Sequence, residues 1–190
     1  MNLALFDFDG TITKRDSFFK FLIYFFGYKK FVIGIIKNLH ILLLYKLNII
    51  SNSEAKEKIT KYFFKNSDFN FFQKKADYFS LNLIDTFVKK KAIERLNYHK
   101  NKNDKIVIVS ASFECYLKKW CEKNNFELIG TKLEIKNNKL TGKFLTKNCY
   151  GKEKVNRIKA KYNLNDFKEI YVYGDSRGDY EMLKLAKKRK

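Results

Sequence analysis

Three short apolar runs, each breaking off into a polar cluster, limit the folds open to this chain more than any other feature. Asn2–Phe8 contains and leads into Asp7, Asp9, Gly10 and Thr11. Lys105–Val109 leads into Ser110, Ala111 and Ser112. Glu169–Tyr173 leads into Gly174-Asp175-Ser176-Arg177-Gly178-Asp179. Short β-branched and apolar runs of this kind are what strands covered on both faces require. Stripes of 3.6-residue period predict helices over Phe18–Phe26, Lys29–Leu47, Ser53–Phe64, Asp68–Asn97, Phe113–Asn124, Lys152–Tyr162 and Gly178–Lys188, with Ser53 and Asp68 as N-caps. Leu133–Phe144 alternates about Asn137-Asn138 and predicts a hairpin. Strands alternating with helices at this spacing predict an α/β fold built on a doubly wound parallel sheet. No strand signal interrupts the stretch from Thr11 to about Asn101. Residues 1–13 and 101–190 are therefore expected to form the core, and 14–100 a helical insertion.

The 190 residues suffice for one such domain with a sub-domain. The formal charge of +20 favours anionic partners. The lysines are scattered, and the one compact run, Lys187–Lys190, reads as a solvated helix end. No module of basic and aromatic residues is visible, which sets nucleic acid aside. The three cysteines, Cys115, Cys121 and Cys149, form no C-x-x-C pair, which argues against a zinc knuckle. Their odd number, with no secretory signal at the start, predicts reduced thiols in a cytoplasmic protein. Phe31–Ile50 comes nearest to a membrane span, but Lys37, Asn38, His40 and Lys46 interrupt it. It reads as a buried amphipathic helix, with a membrane-surface helix as the alternative.

Ligands of open α/β sheets bind beyond the carboxyl ends of the strands. The three polar clusters, joined by Lys152 and Lys154 at the start of a helix, should therefore meet in one crevice. Clustered carboxylates repel and raise one another's pKa, and a divalent cation removes that conflict. Mg²⁺ takes a few carboxylates with water and phosphate oxygens, and Asp7 and Asp175 are its natural ligands. One carboxylate can attack phosphorus. Asp9, two residues further and on the same side of the pleat, can protonate a leaving alcohol and then deprotonate water. Ser110 and one of the lysines can hold phosphate oxygens, and Gly10 lets the backbone approach a ligand. A calcium loop is excluded. Its fifth and twelfth positions would be Thr11 and Phe18, and the twelfth requires glutamate.

Asp7-Phe8-Asp9-Gly10-Thr11, Ser110, the Lys152/Lys154 helix and Gly174–Asp179 together resemble the four motifs of the haloacid dehalogenase-like hydrolase superfamily. The helical insertion and the run Asn148–Ile158 are similar to its phosphoserine phosphatase-like subfamily (subfamily IB). The resemblance implies a Rossmann-like core with a C1-type cap. It implies Asp7 as nucleophile and Mg²⁺ ligand, and Asp9 as acid/base with its backbone carbonyl on the metal. It implies Ser110 on phosphate, Asp175 on Mg²⁺, and Asp179 supporting the lysine. Lys154 matches the G-x-x-K-V form of the motif, and Lys152 would suit a shorter spacing. Gly10, Ala111 and Asp16 are expected beside the substrate. The second aspartate points away from dehalogenation. Gly10 stands where phosphoserine phosphatases carry serine, and Asp16 where they carry glutamate. The expected function is Mg²⁺-dependent hydrolysis of a small phosphomonoester through an aspartyl-phosphate. The alternatives are a membrane-surface phosphatase acting on a lipid phosphate and a non-enzymatic anion-binding protein.

Overall fold

The computed structural model describes residues 1–187. Its centre is a parallel sheet of β1 (Leu3–Phe6), β2 (Lys105–Phe113), β3 (Glu127–Thr131) and β6 (Ile170–Tyr173), in the order β3-β2-β1-β6. Successive side chains of β1 go to opposite faces. Leu3 and Leu5 join Val107, Val109, Ile158, Phe167 and Met182 on one side. Ala4 and Phe6 join Ile106, Ile108 and Trp120 on the other. Burial on both faces explains the uninterrupted apolar run. The sheet is the predicted α/β arrangement, with one strand more than the sequence signals marked. β3 escapes notice because it is short, contains Glu127 and Gly130, and pairs on one side only. β2 runs on past Val109, but its register against β3 shifts between Val109 and Phe113, so Ser110-Ala111-Ser112 lies at an irregularity. The predicted hairpin forms as β4 (Leu133–Lys136) and β5 (Lys139–Phe144), with both turn asparagines at positive φ.

Between β1 and β2 lie α1 (Ser17–Phe26), α2 (Tyr28–Lys37), α3 (Leu39–Lys46), α4 (Asn52–Phe64), α5 (Phe69–Tyr78) and α6 (Lys90–Asn101). The expected helix Lys29–Leu47 is divided at Asn38. This residue is buried, and its side chain donates to the Gly34 carbonyl (2.8 Å), competing with the helical ladder. Gly34 is where α2 approaches α4; a Cβ there would come within 2.2 Å of the Phe63 ring. The expected helix Asp68–Asn97 is also divided. After α5 the chain makes a π turn and a 3-10 turn, then extends at Val88, which pairs with Thr13. The chain thus leaves and re-enters the sheet layer through two adjacent strands of backbone, with Lys14 bonded to Phe87 and Lys89 to Ile12. The N-cap of α4 is Ser51, in a capping box with Glu54, rather than Ser53; Asp68 caps α5 as expected. A cluster of aromatic rings holds these helices to each other and to the core. Phe21 alone lies within 4.8–5.9 Å, centroid to centroid, of Tyr116, Phe79, Phe72, Phe25 and Phe64.

The remaining helices are α7 (Glu114–Lys123), α8 (Lys152–Lys161) and α9 (Tyr180–Leu183). The helix expected over Gly178–Lys188 is thus a 3-10 turn followed by the single turn of α9, after which Lys187 pairs with Ile170. The predicted basic end falls outside the described residues except for Lys187. No described helix is long and apolar enough to cross a membrane.

Candidate active site

β1 neighbours β2 on one side and β6 on the other, so the strand order reverses at its carboxyl end. Crevices open at such points. Asp7 follows β1 directly, its N–H donating to the Tyr173 carbonyl (2.8 Å). Asp175 lies two residues beyond β6. Thr11 Oγ1 donates to Asp175 Oδ1 (2.9 Å), tying the two strand exits together. Gly10 has φ +81°, and a Cβ at this position would sit 2.2 Å from Asp175 Oδ2. Gly10 therefore makes room for a carboxylate; it does not itself line the cavity described below.

Lys154, in the first turn of α8, is 2% exposed. Its Nζ donates to Asp7 Oδ1 (2.5 Å), Asp179 Oδ1 (2.6 Å) and the Val109 carbonyl (2.9 Å). A buried ammonium with three acceptors is a satisfied one. Its pKa moves up: burial alone would lower it, but the two carboxylates outweigh burial. Lys152, the alternative, takes no part in this cluster. The two carboxylates respond differently. Burial pushes Asp7 up to about 7, with the charges of Asp179 and Asp9 adding to the effect against the pull of Lys154. Burial also acts on Asp179, but Lys154 and the donors of Ser176 hold it below its ordinary range. The heavier desolvation of Asp7 and the extra donors of Ser176 to Asp179 set the two apart.

Asp9 faces the helical insertion. Its Oδ1 accepts from the Ser17 N–H (2.7 Å) and its Oδ2 from the Ser112 hydroxyl. Burial and the charge of Asp16 raise its pKa against those hydrogen bonds. The Ser112 N–H also donates to Ser110 Oγ (3.0 Å), leaving the Ser110 hydroxyl hydrogen free to donate to a ligand. Asp16 has two positions at once: it caps α1, accepting from the Phe19 N–H (3.1 Å), and it lines the cavity.

That cavity has a volume of about 370 Å³, and Asp7, Asp9, Asp16, Ser110, Ala111, Lys154 and Asp179 open into it. From the helices come Phe18, Phe19, Leu42, Tyr45, Asn52 and Lys56. Lys56 is one of the lining residues that sequence reasoning missed. Its Nζ donates to the Ala111 carbonyl (2.8 Å) and lies over the Phe18 and Phe113 rings. Burial draws its pKa below the usual lysine value, with Asp16 and Asp9 opposing. One lysine among many in an amphipathic stretch carries no signal that would single it out. Tyr150 was also missed; it closes the side nearest Gly178.

A divalent cation fits this donor set. Carboxylate oxygens of Asp7, Asp175 and Asp179 lie within 4.8 Å of one another. The carboxylate of Asp9 is not part of the cluster; its engagement with Ser17 and Ser112 turns it elsewhere.

The sequence is 28% identical over 186 residues to Protein CicA of Caulobacter vibrioides, covering 97% of this chain and 82% of that protein. A protein of unknown function from Bordetella pertussis Tohama I has a similar structure. Its TM-score is 0.82 at 21% identity, over 97% of this chain and 86% of that one. A substrate-bound phosphoserine phosphatase complex superposes with TM-score 0.63 at 21% identity, over 97% of this chain and 82% of the other. The model of the haloacid dehalogenase-like hydrolase family matches residues 4–184. A match of that extent, laid over the same strand exits that build the cavity, makes this chain a member of the haloacid dehalogenase-like hydrolases.

Proposed function

We propose that the protein is a Mg²⁺-dependent phosphomonoester hydrolase acting on a small phosphorylated metabolite through an aspartyl-phosphate. The observation that carries this reading is Lys154 clamped between Asp7 and Asp179 at the floor of a cavity that Asp9 and Ser110 share. Asp7 and Asp175 would hold Mg²⁺, with the backbone carbonyl of Asp9, and Asp179 would lie beside it. The bound ion would supply positive charge that keeps Asp7 ionised and offsets the phosphate.

Lys154 fixes Asp7 Oδ1, so the other carboxylate oxygen of Asp7 is the one free to attack phosphorus. The P–O bond to the alcohol breaks, and the leaving oxygen takes a proton from Asp9, whose pKa burial raises. Asp9 then takes a proton from water as the water oxygen attacks the acyl phosphate. The bond to Asp7 breaks, inorganic phosphate leaves, and Asp9 is protonated again. Lys154 and the Ser110 hydroxyl stabilise charge on the phosphoryl oxygens. We further assign the helices between β1 and β2 the part of a cap, expected over 14–100, which excludes water from the crevice and places Asp16 and Lys56 against the substrate, opposite Ala111 at the end of β2.

Phosphate release from a panel of phosphomonoesters, with and without Mg²⁺, tests the proposal. Release that needs Mg²⁺ and disappears in Asp7→Asn is the expected result. No release from any ester by folded wild type, with anion binding equal in both forms, would replace it by a binding role.

A further inference from the structure

α2 and α3 bury one side against the other helices and leave the opposite side uncovered. Ile33 (53%), Ile36 (64%), Leu43 (51%) and Leu47 (67%) are exposed, and they recur at three-, four- and seven-residue spacings across the bend at Asn38. Asn38 accepts from the Leu42 N–H and donates to the Gly34 carbonyl, ending α2 and starting α3, so these exposed residues come from two consecutive helices. Lys29, Lys30, Lys37 and Lys46 stand exposed beside them. No aspartate or glutamate occurs between Asp16 and Glu54. A solvated helix face mixes both signs of charge and few aliphatics; this one carries exposed aliphatics, Tyr28, Tyr45 and His40 beside the cations and no acidic group.

We propose that the α2–α3 face docks on the surface of an anionic lipid bilayer. Apolar side chains flanked by lysines and free of acids match the acyl–headgroup boundary in both polarity and charge. A second copy of the chain would bring like charges together, and nucleic acid has no use for exposed aliphatics. The helices are too short and too polar to cross the bilayer, so the face lies on it. Leu42 and Tyr45 of α3 and Phe19 of α1 line the cavity, which places the crevice beside the docked face. The proposal stands independently of the hydrolytic chemistry.

Co-sedimentation tests it. Vesicles of equal parts phosphatidylglycerol and phosphatidylcholine are compared with phosphatidylcholine alone, at about 0.1 M and about 1 M salt. Wild type should partition at least about tenfold more to the anionic vesicles at low salt, and lose that excess at high salt. Ile36→Ser/Leu43→Ser/Leu47→Ser should lower the partition by about tenfold or more. Lys29→Ala/Lys37→Ala should lower it and flatten the salt dependence. Unchanged thermal melting in both variants shows that the fold is kept. Equal partition to neutral and anionic vesicles, or equal partition by the triple variant, would overturn the proposal. So would wild type that ignores vesicles but sediments as a dimer dispersed by the triple variant.

Discussion

Replacing Lys154 with methionine removes one positive charge from the least exposed part of the site while keeping most of the side-chain volume. Two ion pairs, at 2.5 and 2.6 Å, and the bond to the Val109 carbonyl are lost together. Asp7 and Asp179 are left facing each other with no cation between them. Breaking one partner out of a buried ion pair costs about 3–5 kcal/mol. Protonation of Asp7, already raised to about 7, holds the cost toward the lower end at neutral pH. For a chain of this size the midpoint should fall by roughly 6–15 °C. The pH dependence carries the sharper test. Asp7 has a folded pKa above its unfolded 3.8, so its contribution is fully present below pH 3.8 and is lost as pH rises toward 7. Without the ammonium its pKa rises further, and the loss continues above 7. The deficit of the variant, measured by urea unfolding with chelator present, should therefore be larger at pH 8 than at pH 5. A deficit under about 1 kcal/mol at pH 8, or one that shrinks as pH rises, would refute the buried-pair reasoning.

Gly10→Ala should destabilise by about 1–3 kcal/mol through its positive φ and displace Asp175; Mg²⁺ should then raise the melting temperature less than in wild type, and an equal rise would count against the assigned metal position. Lys56→Met should reduce kcat/KM on anionic esters by about 10–100-fold, the worth of a charged hydrogen bond to the substrate, and an unchanged kcat/KM would remove Lys56 from the site. Glu127 is held down to about 2: partial burial would raise it, but Lys105, Lys161 and Tyr162 outweigh burial. Its contribution is present above the unfolded value of 4.5 and lost as pH falls toward 2, so Glu127→Gln should weaken stability at pH 6 by about 1 kcal/mol after solvent screening, and the difference should vanish near pH 2 in acid titrations.

Most of the candidate site was legible because its residues sit at strand exits, where an abrupt change from apolar to polar is visible in one dimension. Asp7, Ser110 and Asp175 belong to that class, and the motif spacing narrowed the lysine to Lys154 or Lys152. Lys56 did not, since its role depends on how α4 lies across the end of β2, and no local pattern records that. β3 was missed because an edge strand needs apolar residues on fewer sides. The divisions at Asn38 and Val88 were missed because periodicity continues through both. There the breaks follow from a side chain bonding its own helix and from a bridge to Thr13, contacts that exist only after folding.

The amino-acid sequence by itself determined the parallel α/β core, the long helical insertion, the turn asparagines of the hairpin and the carboxylates at the strand ends. Each follows from local periodicity, turn chemistry or an abrupt loss of hydrophobicity. Only the tertiary structure decided that Lys154 rather than Lys152 lies between Asp7 and Asp179, that Ser17 and Ser112 hold Asp9, and that Gly10 clears space for Asp175. It also decided which side of α2 and α3 stays uncovered. These are relations between residues far apart in the chain. Their energies arise from burial and from distances of a few ångströms, and neither exists until the strands and helices have packed.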